Sequence, residues 1–439
     1  MEKRLAQVES AHCNVSKHSQ KRREQLLFLQ LPDDVLFAIF NKCDIKTLGR
    51  LCRVCQKLNC LVQLDSVWNV RVERLFMVGS SCMRRKVSKT NGSHSLPVRP
   101  CLKEQCRLSS NWVQKICKER VISRISPKQL PWLQYVEGRL WCSMNNTIKC
   151  YNVHKDGIPK EDLKSCIILK DEKCHRKRTV SLPDDHLHHN LHNEDISRFV
   201  IKENISVSGC RDGSIYVFDI GRGECLEKLH RVHSTDTQTV DIYDTCIISG
   251  SRDKSLKILC LNDREEQTEV KMSINMQDRV WSTSFSSHGQ SFAVGTSGCK
   301  GSLPLTVWDT NTGQFMHSLG KLRYGAGILD IKYEDDNILL SCGYECCLKM
   351  WDLRTQQCVA SWQEPFDSTL YCIQTDGNVA MVTGTARYGM SRLWDKRKTE
   401  SVQEYFMSQR SPVYSVAFDS YKLYAALDSS INMLKFSGY

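Results

Sequence analysis

The feature that most constrains the fold of this chain is a Trp-Asp pair that recurs at a fixed interval. The pair occurs at Trp308-Asp309, Trp351-Asp352 and Trp394-Asp395, so successive copies lie 43 residues apart. A short apolar segment with small residues precedes each pair: FAVGT at 292, LLSCGY at 339 and MVTGT at 381. Equal spacing with equal internal order indicates a repeated structural unit.

A relaxed form of the pair, an apolar or aromatic residue followed by any residue, extends the series to seven units. The added pairs are Tyr151-Asn152, Phe218-Asp219, Leu259-Cys260 and Leu434-Lys435, and the successive gaps are 67, 41, 49, 43, 43 and 40 residues. Each unit has short runs rich in Val, Ile, Tyr and Phe between Gly, Asp or Asn turns, which is typical of strands. Repeats of about 40 to 45 residues with four strands each predict a mainly β fold, a seven-bladed propeller.

These units resemble the WD-repeat family, in which Trp-Asp ends the third strand of a blade, and the resemblance covers roughly residues 120 to 439. In that family a His, a turn Asp and the Trp form a hydrogen-bonded set. Two blades carry the His and the Asp without the Trp, as His192 with Asp212 and His233 with Asp253. The Asp residues follow Arg in tight turns, where a short carboxylate caps its own turn, so we expect them to be structural.

The last unit raises the question of its outer strand. The sequence stops at Tyr439, soon after the third strand of that unit. We therefore expect the outer strand to come from the N-terminal side, from RVISRI at 120–125. Such a pairing would join the first and last blades.

Between residues 28 and 76 the apolar period changes from two to 3.6, which predicts three short helices. Pro32 suits the first turn of the first helix, and Asp33-Asp34 suit its positive end. The second helix lies behind a cap at Thr47, and the third begins at Asp65. Three short helices make a small core, and such a module has apolar surface to offer a partner.

This segment resembles the F-box family. The matching residues are LPDDVL at 31–36, Ile39-Phe40, Asp44, Leu48, Arg50, Val54-Cys55 and Trp68. Two departures are Cys43, where a Leu is usual, and Leu58, where many members have Trp. The resemblance implies a helix-in-groove contact with the Skp-type adaptor of a cullin ubiquitin ligase. The adaptor-binding residues it implies are Leu31, Pro32, Val35, Leu36, Ile39, Phe40, Leu48, Leu51, Val54 and Trp68.

An F-box followed by WD repeats resembles the F-box/WD-repeat substrate receptors, and the segments DRVWS, GAGILDIKYE, DSTLYC and QTDGN are most similar to the dactylin branch. The resemblance implies the substrate-recognition subunit of an SCF-type ubiquitin ligase, which is not itself an enzyme. The expected domains are a disordered basic N-terminus at 1–24, the F-box at 25–76, a linker with a short helix at 77–118, and the propeller at 119–439 with an insert at about 154–195.

Two sets of positions predict a substrate site at one end of the central channel. Arg211 and Arg252 precede the turn Asp in neighbouring blades. Trp281, Tyr371 and Tyr414 lie at the start of innermost strands, and Arg387 lies in the loop GTARYG. Arg beside rigid aromatic rings suits a phosphorylated or acidic peptide. The alternative is that the Arg side chains are only solvated and the aromatic residues belong to the core.

Composition excludes several classes of function. The net charge of +12 comes from dispersed basic residues without a nucleic-acid-reading motif, so we expect no nucleic-acid partner. No long uncharged apolar stretch or secretion signal is present, so we expect an intracellular protein, cytoplasmic or nuclear, without a membrane partner. The 23 Cys residues follow no disulfide pattern, and Cys52 and Cys55 have redox spacing in a helical pattern without thioredoxin-like surroundings.

The insert at 171–195 is rich in His and raises the question of zinc. Its residues include Cys174, His175, His186, His188, His189 and His192. Only one Cys is close and the His spacing matches no zinc finger, so a polar loop is favoured and no metal or cofactor is expected. One alternative to a ligase receptor stays open, a WD-repeat scaffold for other complexes, and adaptor binding separates the two. A propeller enzyme would need convergent carboxylates or His residues at the channel mouth, where the sequence has aromatic residues instead.

Overall fold

A computed structural model describes residues 28–72, 76, 78, 101–125, 130–153, 160–161, 167–168, 195–261, 268–301, 303–320 and 324–436. The chain divides into two compact units, Met1–Met77 with Arg99–Ser109 and Val78–Val98 with Ser110–Tyr439. The predicted disordered N-terminus, most of the linker and the His-rich part of the insert lie outside the described residues. No helix in the described part of the chain is long and apolar enough to span a bilayer.

The first unit is built from short helices. They are α1 (Asp33–Lys42), α2 (Ile45–Leu51), α3 (Gln56–Gln63), α4 (Asp65–Val72) and the part of α5 (Leu102–Val113) up to Ser109. Pro32 lies at the N-cap of α1, with Asp33 and Asp34 in its first turn, as the sequence predicts. Helix α4 begins at Asp65, also as predicted.

The predicted second helix is two helices, α2 and α3. Asp44 caps α2, because its side chain accepts a 2.8 Å hydrogen bond from the backbone N–H of Thr47, so the prediction of Thr47 as the cap was wrong. Helix α2 ends at Leu51, and Cys55 has an extended backbone before α3 begins. Cys52 and Cys55 therefore lie at a break between helices rather than within one.

The core of this unit is small and closely packed. Leu36, Phe40, Leu48 and Trp68 are buried together with Cys106 of α5. The indole N–H of Trp68 donates a 2.6 Å hydrogen bond to the carbonyl of Val62, which satisfies its polar atom inside the core. The partly buried guanidinium of Arg71, on α4, donates to the carbonyls of Phe40 and Cys43 at the end of α1, where a cation is favourable.

The second unit consists of strands. Among the described residues they are β1 (Lys118–Arg124), β2 (Leu133–Val136), β3 (Arg139–Met144), β4 (Thr147–Asn152), β5 (Lys160–Glu161), β6 (Ile167–Ile168), β7 (Ile196–Lys202), β8 (Ile205–Cys210), β9 (Ile215–Asp219), β10 (Glu224–Leu229), β11 (Thr237–Tyr243), β12 (Cys246–Ser251), β13 (Ser255–Cys260), β14 (Glu269–Asn275), β15 (Val280–Phe285), β16 (Ser291–Thr296), β17 (Leu305–Asp309), β18 (Phe315–Leu319), β19 (Ile328–Tyr333), β20 (Ile338–Gly343), β21 (Cys347–Asp352), β22 (Gln357–Gln363), β23 (Leu370–Thr375), β24 (Ala380–Thr385), β25 (Met390–Asp395), β26 (Ser401–Phe406), β27 (Ser415–Phe418), β28 (Lys422–Ala426) and β29 (Ser430–Lys435).

These strands form seven antiparallel sheets, the blades of a propeller. Blade 1 contains β2–β6, and blades 2 to 6 contain β7–β10, β11–β14, β15–β18, β19–β22 and β23–β26. Blade 7 contains β27, β28 and β29 with β1 as its outer strand. All seven predicted pairs lie on the third strands of their blades, β4, β9, β13, β17, β21, β25 and β29. The predicted fold class, a seven-bladed propeller with an F-box module, is confirmed.

Pairing of β1 with β29 closes the ring. The antiparallel register runs from Lys118 opposite Lys435 to Arg124 opposite Ser430, with one irregularity. The strand predicted from residues 120–125 is therefore confirmed and begins two residues earlier. Close by, Trp112 stacks on Phe436 with ring centroids 3.8 Å apart.

The blades pack on each other through apolar side chains. Trp351 of blade 5 contacts a cluster that includes Leu305 and Val307 of blade 4. Its indole N–H donates a 2.8 Å hydrogen bond to the hydroxyl of Ser341 on the neighbouring strand. The Trp of each pair thus fills the space between two blades while its polar atom stays bonded.

In blade 3 the His and the turn Asp of the WD-repeat pattern make their hydrogen bonds although the Trp is absent. The ring nitrogens of His233 lie 2.6 Å from the Ser255 hydroxyl and 2.8 Å from the Ser249 hydroxyl. Asp253 accepts a 2.8 Å hydrogen bond from the N–H of Ser255, so it caps its own turn as predicted. Leu259 fills the Trp position and is fully buried. The other predicted His, His192, lies outside the described residues.

The central channel is crossed by an ion pair. Arg198 on β7 of blade 2 and Asp330 on β19 of blade 5 lie 3.5 Å apart and are nearly buried. Strands β7 and β19 are the innermost strands of two blades that are not neighbours, so their side chains can meet only across the channel. The guanidinium of Arg198 also lies 3.8 Å from the ring centroid of Trp132. A ligand segment is therefore expected to bind at the mouth of the channel rather than pass through it.

Burial of His233 makes the stability of the propeller depend on pH. Burial lowers the pKa of this side chain from 6.5 to about 4, against the opposing effect of Asp253. In the unfolded chain His233 binds a proton as the pH falls below 6.5, whereas in the folded chain it stays neutral down to about 4. The free energy of unfolding should therefore fall by about 1.4 kcal/mol per pH unit across this window.

Thermal unfolding between about pH 7.5 and pH 5 measures this effect, and the variant His233→Gln isolates it. We expect the melting temperature of the native chain to fall more steeply with decreasing pH than that of the variant, because Gln keeps a hydrogen-bonding group but does not titrate. Parallel pH profiles of the two chains would contradict the assignment.

Candidate binding surfaces

Four of the ten predicted adaptor-binding residues are core residues. Leu36, Phe40 and Leu48 are 0% exposed, and Trp68 is 1% exposed. These side chains hold the helices of the first unit together and cannot contact a partner in the folded chain. A contribution of these four residues to adaptor binding is therefore indirect, through the shape of the module.

The other six predicted residues reach the surface. Val35 is 43% exposed and Val54 is 60% exposed. Pro32 is exposed as well, while Leu31, Ile39 and Leu51 are half-buried. Val35 and Ile39 lie four residues apart and therefore on the same face of α1. Leu64 and Val70 are also exposed apolar residues that the sequence pattern did not single out.

The six predicted substrate-binding residues all lie at one end of the ring, which we call the top face. It is formed by the loops that join second to third strands and by the loops that join one blade to the next. Arg211 and Arg252 follow the second strands of blades 2 and 3, and Arg387 lies between β24 and β25. Trp281, Tyr371 and Tyr414 lie at the start of the innermost strands of blades 4, 6 and 7.

Arginines on the top face are free to meet a ligand. Arg252 and Arg387 are exposed and have no carboxylate partner among the residues that the structure describes. Arg211 is partly exposed and has one weak ion pair, with its guanidinium 3.7 Å from the carboxylate of Asp195. The three guanidinium groups can therefore donate hydrogen bonds to an anion without breaking a strong internal contact.

Several carboxylates of the same face are turned inward. Asp212 accepts a 2.9 Å hydrogen bond from the N–H of Ser214. Asp278 accepts from the Ser297 hydroxyl and from the N–H of Cys299. Burial alone would raise the pKa of Asp278, but these hydrogen bonds outweigh it and hold the pKa below its ordinary value. Asp212 and Asp278 therefore offer little free negative charge to a ligand, while Asp367 is an exposed carboxylate of the same face.

The aromatic residues form two ring pairs at the channel mouth. Trp281 contacts Tyr344 edge to face, with ring centroids 5.4 Å apart and an angle of 76°. Tyr371 stacks on Tyr414 with centroids 5.8 Å apart and an angle of 11°. The hydroxyl of Tyr414 donates a 2.6 Å hydrogen bond to Asp428. Burial and this contact raise the pKa of Tyr414, so it stays protonated.

Sequence reasoning missed Tyr344. This residue follows Gly343 at the end of a second strand, the place that Arg211 and Arg252 occupy in their blades. The segment GYE at 343–345 departs from the Arg-Asp pattern of those turns, so that pattern does not point to Tyr344. The useful signal was the position before the turn rather than the residue type.

Metal binding finds no support in the described residues, which hold no cluster of three or more His, Cys, Asp or Glu with suitable geometry. The His-rich stretch of the insert lies outside them, so the sequence prediction of a polar loop there stays a prediction.

Comparison with known proteins identifies both modules. The F-box domain family model matches residues 28–70. Over 413 residues the chain is 33% identical to F-box/WD repeat-containing protein 4 of Mus musculus, covering 93% of each chain. It is 34% identical over 413 residues to F-box/WD repeat-containing protein 4 of Homo sapiens, covering 93% of this chain and 92% of that protein. A WD repeat-containing protein WDS homolog of Arabidopsis thaliana is 28% identical over 126 residues, 28% of this chain and 24% of that protein.

Two substitutions separate binding from stability in the helical unit. Val54→Asp places a charge on an exposed apolar residue, so we expect normal folding and roughly tenfold or greater loss of adaptor binding. Trp68→Ala removes a buried side chain, so we expect about 3–5 kcal/mol loss of stability. Thermal unfolding and capture on an immobilised Skp-type adaptor measure the two effects. Val70→Asp, on an exposed residue outside the predicted set, is the matched control, and equal capture of Val54→Asp and the native chain would contradict the prediction.

Proposed function

The chain belongs to the family of F-box/WD-repeat proteins, and from this membership we propose that it is the substrate-recognition subunit of an SCF-type ubiquitin ligase. The identity of over 30% to F-box/WD repeat-containing protein 4, across almost the whole of both chains, supports the predicted dactylin branch. We assign the F-box to 25–76, as the sequence predicts, with Arg99–Ser109 in the same compact unit, and the propeller to the residues from the start of β1 at Lys118.

The helical unit supplies the contact with the ligase. Its exposed apolar residues Pro32, Val35 and Val54, with half-buried Leu31, Ile39 and Leu51, present a surface suited to the groove of a Skp-type adaptor. Through that adaptor the chain joins a cullin. The feature that supports this assignment is a set of apolar side chains that lie outside the core and are exposed to solvent.

The propeller supplies the contact with the substrate. The observation that carries this proposal is the charge of the top face, where Arg252 and Arg387 are exposed and unpaired among the described residues while Asp212 and Asp278 are turned inward as caps. A guanidinium binds a phosphate or a carboxylate through two parallel hydrogen bonds. The top face therefore recruits acidic or phosphorylated protein segments for ubiquitination and degradation.

The chemistry of ubiquitin transfer is left to other subunits of the ligase. This chain contributes proximity: it holds a lysine of the substrate near the ubiquitin-charged conjugating enzyme, which raises the local concentration of the nucleophile. A receptor of this kind needs two binding surfaces and no catalytic residue.

Co-purification tests the ligase contact. We expect the native chain to capture a Skp-type adaptor and, through it, a cullin. The double variant Leu31→Ala with Pro32→Ala should lose both, because it truncates the start of the proposed contact surface. Leu64→Ala with Val70→Ala, two exposed apolar residues outside the proposed surface, should keep both partners. If the native chain captured neither partner, the propeller would have to act as a scaffold outside the ligase.

Binding of acidic peptides tests the substrate contact. We expect Arg211→Ala with Arg252→Ala to weaken binding of phosphopeptides by about tenfold or more, and the affinity of the native chain to fall with added salt. Arg222→Ala is the control, because Arg222 is 75% exposed in the turn between β9 and β10 at the opposite end of the ring. Fluorescence anisotropy gives the dissociation constants. Equal loss in the control would show a nonspecific effect of charge.

A further inference from the structure

Four consecutive loops of the top face each expose one aromatic side chain. Tyr324 precedes blade 5 and is 83% exposed, and Tyr344, in the next loop, is 41% exposed. Phe366 precedes blade 6 and is 56% exposed, and Tyr388 follows at 53%. In blades 2 and 3 the loops equivalent to those of Tyr344 and Tyr388 carry Arg211 and Arg252 instead. The aromatic residues are thus concentrated over one side of the ring.

The loop that carries Phe366 is held from below by a buried ion pair. Glu364 is 0% exposed and accepts hydrogen bonds from the N–H groups of Phe366 at 2.8 Å and Ser368 at 2.9 Å. Its other oxygen accepts a 2.7 Å hydrogen bond from Arg392, which is 3% exposed. The Arg392 guanidinium lies 5.3 Å from the Phe366 ring centroid. Phe366 is therefore held at the surface by its loop.

The exposed aromatic residues continue into the ring pairs at the channel mouth. Tyr344 contacts Trp281, and burial, with neighbouring Tyr371 and Cys299, raises the pKa of Tyr344. Tyr371 in turn stacks on Tyr414. We call this surface the aromatic sector, and it consists of Trp281, Tyr324, Tyr344, Phe366, Tyr371, Tyr388 and Tyr414. Apolar surface of this kind, surrounded by polar residues, marks an interaction site.

The charges around the aromatic sector define its occupant. Exposed cations on the same loops form no ion pair among the described residues, although Lys300 lies close enough to Asp278 to help lower its pKa: Arg279, Lys300, Arg387 and Arg410. Of the acids nearby, Glu364 holds its loop, Asp428 accepts from Tyr414, and Glu345 pairs with Lys349. Asp367 is exposed beside Phe366, and its carboxylate accepts a hydrogen bond only from the Gln363 side chain, so in the described part of these loops one exposed carboxylate stands against these four cations. A lysine-rich segment would meet like charge here. A second copy of this chain would set these cations against themselves across a two-fold axis, which is unfavourable.

We propose that the aromatic sector binds an extended substrate segment in which bulky apolar side chains alternate with carboxylates, without a need for phosphate. This inference rests on the proposed function and deepens it. The apolar side chains pack on the aromatic rings, and the carboxylates meet the surrounding arginines and lysine. The aromatic sector then anchors the substrate, and Arg211 and Arg252 select for additional negative charge elsewhere on the top face.

Selection from a displayed library of random twelve-residue peptides tests the proposal without knowledge of the substrate. The full chain in complex with its Skp-type adaptor is the bait, beside the variant Tyr344→Ala with Phe366→Ala and Tyr388→Ala. We expect the native chain to enrich unphosphorylated sequences that combine Leu, Phe or Trp with Asp or Glu. The selected peptides should bind the triple variant about tenfold or more weakly, because truncation of aromatic anchors removes the largest part of binding energy.

Phe315→Ala with Met316→Ala is the matched control, since these residues are 53% and 50% exposed on the outer strand β18, away from the top face. This variant should bind the selected peptides like the native chain. The proposal is overturned if the native chain enriches nothing beyond the triple variant, if the enriched peptides are basic, or if native chains self-associate through the sector in sedimentation. If the triple variant still captures the adaptor, a negative result would concern the aromatic sector alone and not the assignment of the chain to a ubiquitin ligase.

Discussion

The pairing of β1 with β29 is the contact on which the propeller depends. Blade 7 has three strands of its own, and Lys118–Arg124 supplies the fourth. A ring of blades has no free ends only when its first and last segments belong to the same sheet. Because strand direction alternates in every blade, the inter-blade loops and the loops between second and third strands lie at one face, so residues as distant in sequence as Arg211 and Tyr414 share a surface.

In the closed ring the strands, rather than the loops, carry the structural contacts. The inner strands carry structural duties, such as the Arg198–Asp330 ion pair that crosses the channel. The aromatic residues between blades fill the core, as Trp351 does. Residues in the top loops have fewer structural partners, so their charge and shape can vary without loss of the fold. The resulting face is cationic over blades 2 and 3 and aromatic over blades 4 to 7.

The sequence predicted the blades well because their third strands recur at nearly constant spacing, and this held even where Phe218, Leu259 and Tyr151 replace the Trp. It predicted the helical unit less well. The break between α2 and α3 depends on the Asp44 cap and the extended backbone of Cys55, which apolar periodicity does not register.

Burial and exposure were harder to predict than position. Motif matching placed Leu36, Phe40, Leu48 and Trp68 among adaptor contacts, although the structure buries all four. A sequence motif shows which residue types recur in a module, but it does not distinguish residues that contact a partner from residues that form the core. Conversely, Tyr324 and Phe366 lie in loops without a repeat signal, so only the structure shows that their rings face solvent on the same side of the ring.

We propose that the two units act together to deliver a bound segment for ubiquitination. The most direct measurement is ubiquitin transfer, in a ligase reconstituted with adaptor, cullin and conjugating enzyme, to a lysine-bearing reporter protein that carries a peptide bound by the top face. We expect ubiquitin chains on the reporter that disappear when the peptide is deleted. A reporter that binds the chain in the assembled ligase but stays unmodified would show instead that the propeller acts as a scaffold.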